Sequence, residues 1–294
     1  MDRRQFLGGT IVSVAGLAAG GTALGTTRLG RAAQERDNSV LPDGPSHELG
    51  CRQLIWSVPT SQPLAALTFD DGPDPEFTPR ILGVLARYGA RATFNVMGHN
   101  AIRHRDLIQA LMDHDHELGN HTWSHEDLAF QSPAATARQL DRALVAIEQT
   151  AGVRPRFFRP PRGELTGAAV QTAARLGHDI LLWSVTRGPA GVATPAAVTD
   201  HLATAVGPGD IIGLHDGIGR STFDRDTAQA RVLRARRQVE LAALPAAIER
   251  LLARNLRLVT VSDLLDAPRH PENPPPPSET ASEPGRHWMR ISSR

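Results

Sequence analysis

A chain of 294 residues has room for one domain or two, and a hydrophobic fraction of 40% is enough for a packed core. A formal charge of +1 gives no electrostatic case for nucleic acid as a partner, and 4% aromatic residues argue against a broad aromatic platform for sugars. Cys51 is the only cysteine, which excludes an intramolecular disulfide and a cysteine-based zinc cluster.

The N-terminus reads as a targeting segment. Arg3 and Arg4, then Gln5-Phe6-Leu7 and a weakly apolar run rich in Gly and Ala over residues 8–25, make a twin-arginine pattern. Such signals direct folded proteins out of the bacterial cytoplasm, to be secreted or to stay in the envelope. Residues 23–25, or Ala32-Ala33, suit cleavage. The alternative is an uncleaved anchor, because the run is nearly long enough to span, although its glycines make a poor spanning helix. Residues 1–33 are therefore read as signal and cleavage region, and the polar residues 34–50 as a linker. Membrane contact is expected only through an uncleaved signal.

From residue 51 to 266 strands and helices alternate. Apolar runs at 65–69, 92–97, 117–118, 157–158, 180–185, 210–214 and 256–261 read as strands. Amphipathic stretches at 78–88, 106–114, 133–150, 167–176, 195–206 and 241–254 read as helices. About seven strand–helix units make an α/β fold with a parallel sheet, closed into a barrel or doubly wound. Residues 267–294, with four consecutive prolines from Pro274, cannot bury a core and are read as a disordered tail. A monomer is expected.

Four stretches carry the chemistry. The first strand ends in Asp70-Asp71-Gly72-Pro73, two adjacent carboxylates that are costly unless something positive sits between them; a divalent metal would supply that charge. His121 and His125 are spaced to share one face of a helical turn, and with Asp71 they make a two-histidine, one-carboxylate set that leaves metal positions open. Arg159-Pro160-Pro161 ends another strand rigidly, so the guanidinium can clamp a carboxylate. His215 ends a buried strand, where parallel α/β folds place chemistry.

Thr68-Phe69-Asp70-Asp71-Gly72-Pro73, His121-x-x-x-His125, Arg159-Pro160-Pro161 and Leu214-His215-Asp216 together, in this order, resemble the polysaccharide deacetylase family of carbohydrate esterases. The resemblance covers about residues 64–265 and implies a distorted (β/α) barrel with about seven strand–helix units. It implies that Asp71, His121 and His125 bind a divalent metal, zinc by first choice. Asp70 would be the base acting on metal-bound water, Arg159 would orient Asp70, and the Arg162 backbone N–H would help hold the oxyanion. His215 would protonate the leaving amine. The substrate implied is a glycan, peptidoglycan or another N-acetylated polysaccharide; Arg162, set beside the site by two prolines, is read as meeting a carboxylate on it, and Trp183 as either a core residue or a lining of the groove. Two departures stand out. Arg162 takes a place where the family often has Tyr. The stretch after Trp183 lacks the acid that would polarise His215, leaving Thr186, Ser184 or an acid elsewhere to replace it. The rival readings are a glycan-binding pseudo-enzyme and a metal-dependent hydrolase of acetyl esters or non-sugar amides.

Overall fold

The computed structural model describes residues 53–188 and 194–268. The expected signal region, linker and almost all of the expected tail lie outside the described residues.

The strands are β1 (Leu54–Ile55), β2 (Leu64–Asp70), β3 (Thr93–Val96), β4 (Glu117–Asn120), β5 (Phe157–Phe158), β6 (Asp179–Leu181), β7 (Val185–Thr186), β8 (Ile211–His215) and β9 (Arg257–Val259). The helices are α1 (Thr78–Tyr88), α2 (Gly98–Arg103), α3 (Arg105–Asp113), α4 (Pro133–Ala151), α5 (Gly167–Leu176), α6 (Pro195–Ala205), α7 (Ala228–Ala253) and α8 (Val261–Leu265). All the strands share one sheet in the order β1-β6-β5-β4-β3-β2-β8-β7, with β9 on β2, and every ladder is parallel. The expected single strand at 180–185 is two short ones. Residues 182–184 carry the chain from β6 to β7, and the open edges of the sheet are β1 and β7. This is a distorted (β/α) barrel.

Helix ends follow local chemistry. Ser132 caps α4 by accepting from the Ala135 N–H at 3.2 Å, with Pro133 opening the helix, and Gly152 ends it in the left-handed region. The expected helix at 241–254 is the second half of α7, which begins at Ala228.

The period-two alternation of β2 sorts its side chains. Ala65, Leu67 and Phe69 join the larger apolar cluster beneath the helices, while Leu64 and Ala66 belong to a second cluster with Ile55, Phe157 and Ile211. Thr68 and Asp70 continue the Leu64–Ala66 face. In the sheet register Asp70 stands opposite Asn95 on one side and His215 on the other. The strand ends thus gather polar groups over an apolar core.

Candidate metal centre and catalytic site

Asp70 is almost fully buried, and its Oδ1 accepts from Arg159 Nη1 and Asn95 Nδ2, each at 2.8 Å. Arg159 is itself fully buried. Its guanidinium also donates to Thr68 Oγ1 at 2.6 Å and to the carbonyls of Leu181 and Leu182 at 3.3 and 2.7 Å. Burial pushes the Asp70 carboxyl up, but the charges of Arg159, His121 and His215 outweigh it and hold the group below its ordinary value. Asp70 is therefore ionised at neutral pH.

Asp71 leaves the strand with φ 80°, a left-handed conformation uncommon for a residue with a side chain. The turn brings its Oδ1 to 3.5 Å from His121 Nε2 and 3.3 Å from His125 Nε2. The ligand atoms of these three residues lie within 4.8 Å of one another. Nδ1 of His121 donates to the Arg159 carbonyl at 2.8 Å, which leaves the Nε2 lone pair facing Asp71. Oδ1 of Asp71 is buried, and among the described residues no donor reaches it in hydrogen-bond geometry. An orphaned carboxylate oxygen facing two imidazole nitrogens fits a divalent cation, and the nitrogen–oxygen set suits zinc.

The expectation of a helical turn at 121–125 is corrected. Thr122 and His125 have φ 66° and 53°. Side chains take up the backbone donors instead: Asn120 Oδ1 accepts from Thr122 N–H at 2.9 Å, and Gln139 Oε1 accepts from those of Trp123 and Ser124 at 3.1 and 3.0 Å. A polar-anchored loop, not a helix, brings the two histidines together.

His215 lines the same cavity of about 710 Å³ as Asp70, Asp71, His121 and His125. Next to it, Asp216 is buried, donated to by Thr78 Oγ1 at 2.7 Å, and pushed by burial up to about 8, so it is neutral. It lies so close beneath Gly72 that a Cβ there would come within 2.0 Å of its carboxylate. Trp183 is both core and groove: it packs on the second apolar cluster, abuts Gly163 and Gly213, and lines the cavity. Arg162 also lines the cavity, with φ 59°, but its guanidinium is paired with Asp127 and stands 3.8 Å from Glu164.

Two functional candidates escaped the sequence reading. Glu240, from α7, places Oε2 3.1 Å from His215 Nδ1, so the acid missing after Trp183 comes from a helix. Arg237 donates to Asp71 Oδ2 at 3.1 Å and to Glu240 Oε1 at 3.0 Å. No apolar period marks residues 228–240, because their inner face is a wall of the site.

An ionised acid and a histidine flanking a cation site suit hydrolysis of an acyl bond, and comparison with known proteins narrows the class to hydrolases acting on carbon–nitrogen bonds other than peptide bonds. The polysaccharide deacetylase model matches residues 57–181. A peptidoglycan-N-acetylglucosamine deacetylase of Bacillus cereus is 33% identical over 214 residues, 72% of this chain and 92% of the relative. The peptidoglycan-N-acetylmuramic acid deacetylase PdaC of Bacillus subtilis is 29% identical over 235 residues, 80% of this chain but 46% of the relative, so the chain spans under half of that protein. A solved peptidoglycan N-acetylglucosamine deacetylase in complex with 4-naphthalen-1-yl-N-oxidanyl-benzamide superposes with a TM-score of 0.63 at 28% identity, covering 73% of this chain and 93% of the other. The chain belongs to the polysaccharide deacetylase family.

Proposed function

We propose that the protein is an exported, metal-dependent deacetylase that removes N-acetyl groups from a bacterial cell-wall glycan. The observation that carries this reading is an ionised Asp70, fixed by Arg159, in one cavity with His215 and with the Asp71, His121 and His125 cluster. These three residues would hold the cation, zinc by the chemistry of its donors. When bound, it would polarise the acetyl carbonyl and acidify a water.

The rest falls to the chain's own side chains. Asp70 takes a proton from the attacking water as a carbon–oxygen bond forms at the acetyl carbon. The carbon–nitrogen bond breaks as His215 delivers a proton to nitrogen, giving acetate and a free amino sugar. Arg159 keeps the Asp70 carboxylate aimed and unprotonated. The left-handed backbone at Arg162 supports its N–H as a donor to the developing oxyanion. Trp183 supplies an apolar wall, and Arg162 a cation that can exchange Asp127 for a substrate carboxylate.

The test is acetate release from purified peptidoglycan fragments, chito-oligomers and acetylxylan, with and without added zinc. The expected result is zinc-dependent release favouring peptidoglycan fragments over chito-oligomers of similar length, with the preference reduced in Arg162→Ala. Release from acetylxylan alone would make the protein an ester hydrolase instead. For export, Arg3→Lys with Arg4→Lys is expected to trap the protein in the cytoplasm, since the pathway reads that pair; undiminished export of the double variant would remove the twin-arginine reading.

A further inference from the structure

The first half of α7 carries no apolar stripe, yet Arg237 and Glu240 are 5% and 3% exposed. Two charged side chains buried this deeply on one helix are expensive unless each is fully engaged. Both are. Glu240 Oε2 accepts from the His215 backbone N–H at 3.1 Å and lies 3.1 Å from its ring Nδ1. Glu240 Oε1 accepts from Arg237 Nη1 at 3.0 Å and stands 3.6 Å from Arg187 Nε. Arg237 Nη2 donates to Asp71 Oδ2 at 3.1 Å, and its Nε donates to the Gly217 carbonyl at 2.6 Å. The result is an unbroken chain of polar contacts: Asp71, Arg237, Glu240, His215.

We propose, on the deacetylase reading above, that Arg237 and Glu240 are a positioning pair that ties the candidate metal ligand Asp71 to the proton donor His215. Glu240 grips both the backbone and the ring of His215. A ring that donates its Nδ1–H as a hydrogen bond to this carboxylate keeps that proton and turns Nε2 toward the cavity, where a leaving nitrogen needs a proton. Arg237 occupies Oδ2 of Asp71, which reserves Oδ1 for a cation. The segment after Trp183 carries Arg187, a cation, where an acid was expected, and its Nε stands 3.6 Å from Oε1 of Glu240, the oxygen that Arg237 also meets. The charge pattern is reversed in place: the acid has moved to the helix and a cation stands at the strand end. Burial raises the Glu240 carboxyl, but His215, Arg237 and Arg187 outweigh it and keep it ionised.

In the step itself Glu240 exchanges no proton. The proton that reaches the leaving nitrogen comes from His215 Nε2, the carbon–nitrogen bond breaks, and Nδ1–H stays on the ring against the carboxylate. An amide, whose amine leaving group must be protonated, depends on this arrangement. An aryl acetate, whose phenolate leaves without a proton, does not.

The experiment uses the zinc-loaded full chain and the variant Glu240→Gln on two substrates, an N-acetylglucosamine oligomer and 4-nitrophenyl acetate. The expected loss in kcat is roughly 100-fold or more on the amide and under about tenfold on the ester, with KM and zinc content little changed. Equal losses on both substrates, or no loss on the amide, would overturn the proposal. Should Glu240→Gln fail to fold, Glu240→Asp keeps the charge but withdraws it by one methylene, and the same amide-selective loss is expected. Nitrogen NMR of the neutral His215 ring gives a readout independent of substrate: Nδ1–H in the wild type and a shift of tautomer in Glu240→Gln. A wild-type ring protonated at Nε2 would also overturn it. A wild type that acts on the aryl ester but on no acetylated glycan defeats the proposed substrate, while the NMR result still decides the role of Glu240.

Discussion

Arg159→Met is expected to cost about 3–5 kcal/mol of stability, because it strips a fully buried partner from an equally enclosed Asp70 carboxylate. In a domain of this size that corresponds to a fall in melting temperature of roughly 10 °C. The guanidinium also ties β5 to the carbonyls of Leu181 in the neighbouring strand β6 and of Leu182 just after it, so the loss includes these cross-strand bonds. The effect has a pH signature. Asp70 is held below its ordinary value in the folded state, so the stability it contributes is present above the unfolded carboxyl's pKa and is lost as pH falls through the folded one. The gap between variant and wild type should be full at neutral pH and narrow below about pH 4. Thermal melts at about pH 7 and about pH 3 check this; a variant that melts with the wild type at neutral pH would show that Arg159 is not structurally required.

Asp70→Asn and His121→Ala are expected to separate the two halves of the site. The first keeps the carbonyl oxygen that meets Arg159 but cannot accept a proton. Turnover should fall by roughly 10²–10⁴-fold while zinc stays bound. The second removes a nitrogen that faces Asp71 Oδ1 at 3.5 Å, so zinc and turnover should vanish together. Metal content of the purified variants, measured beside acetate release, decides the matter. An equal loss of zinc from both would mean that Asp70 is a ligand.

The chain announces much of this before it folds. About seven strand–helix units were legible because the strands are apolar runs and the helices α1, α4 and α5 carry apolar stripes, opened by a proline in α1 and by capping hydroxyls in α4 and α5 and each ended by a glycine. Asp70, Asp71, His121, His125, Arg159 and His215 were legible because each follows or ends a strand, and the barrel gathers strand ends. The first half of α7 was not: Ala230, Leu233 and Val239 reach the core, but Arg237 and Glu240 share the inner side, so the apolar period is broken there. Glu240 and Arg237 were hidden for the same reason, and also by distance, since Arg237 reaches Asp71 across 166 residues of sequence. The loop at 121–125 misled because a spacing of four is shared by a helical turn and by a loop whose donors are taken by Asn120 and Gln139.

Zinc titration of the chelated protein, read as acetate release from purified peptidoglycan fragments, decides whether the site is a metal-dependent deacetylase. The expected result is no release from the metal-free protein, a rise to a plateau at one zinc per chain, and no comparable rise for Asp70→Asn. Undiminished release after chelation, or an Asp70→Asn variant as fast as the wild type, would contradict it.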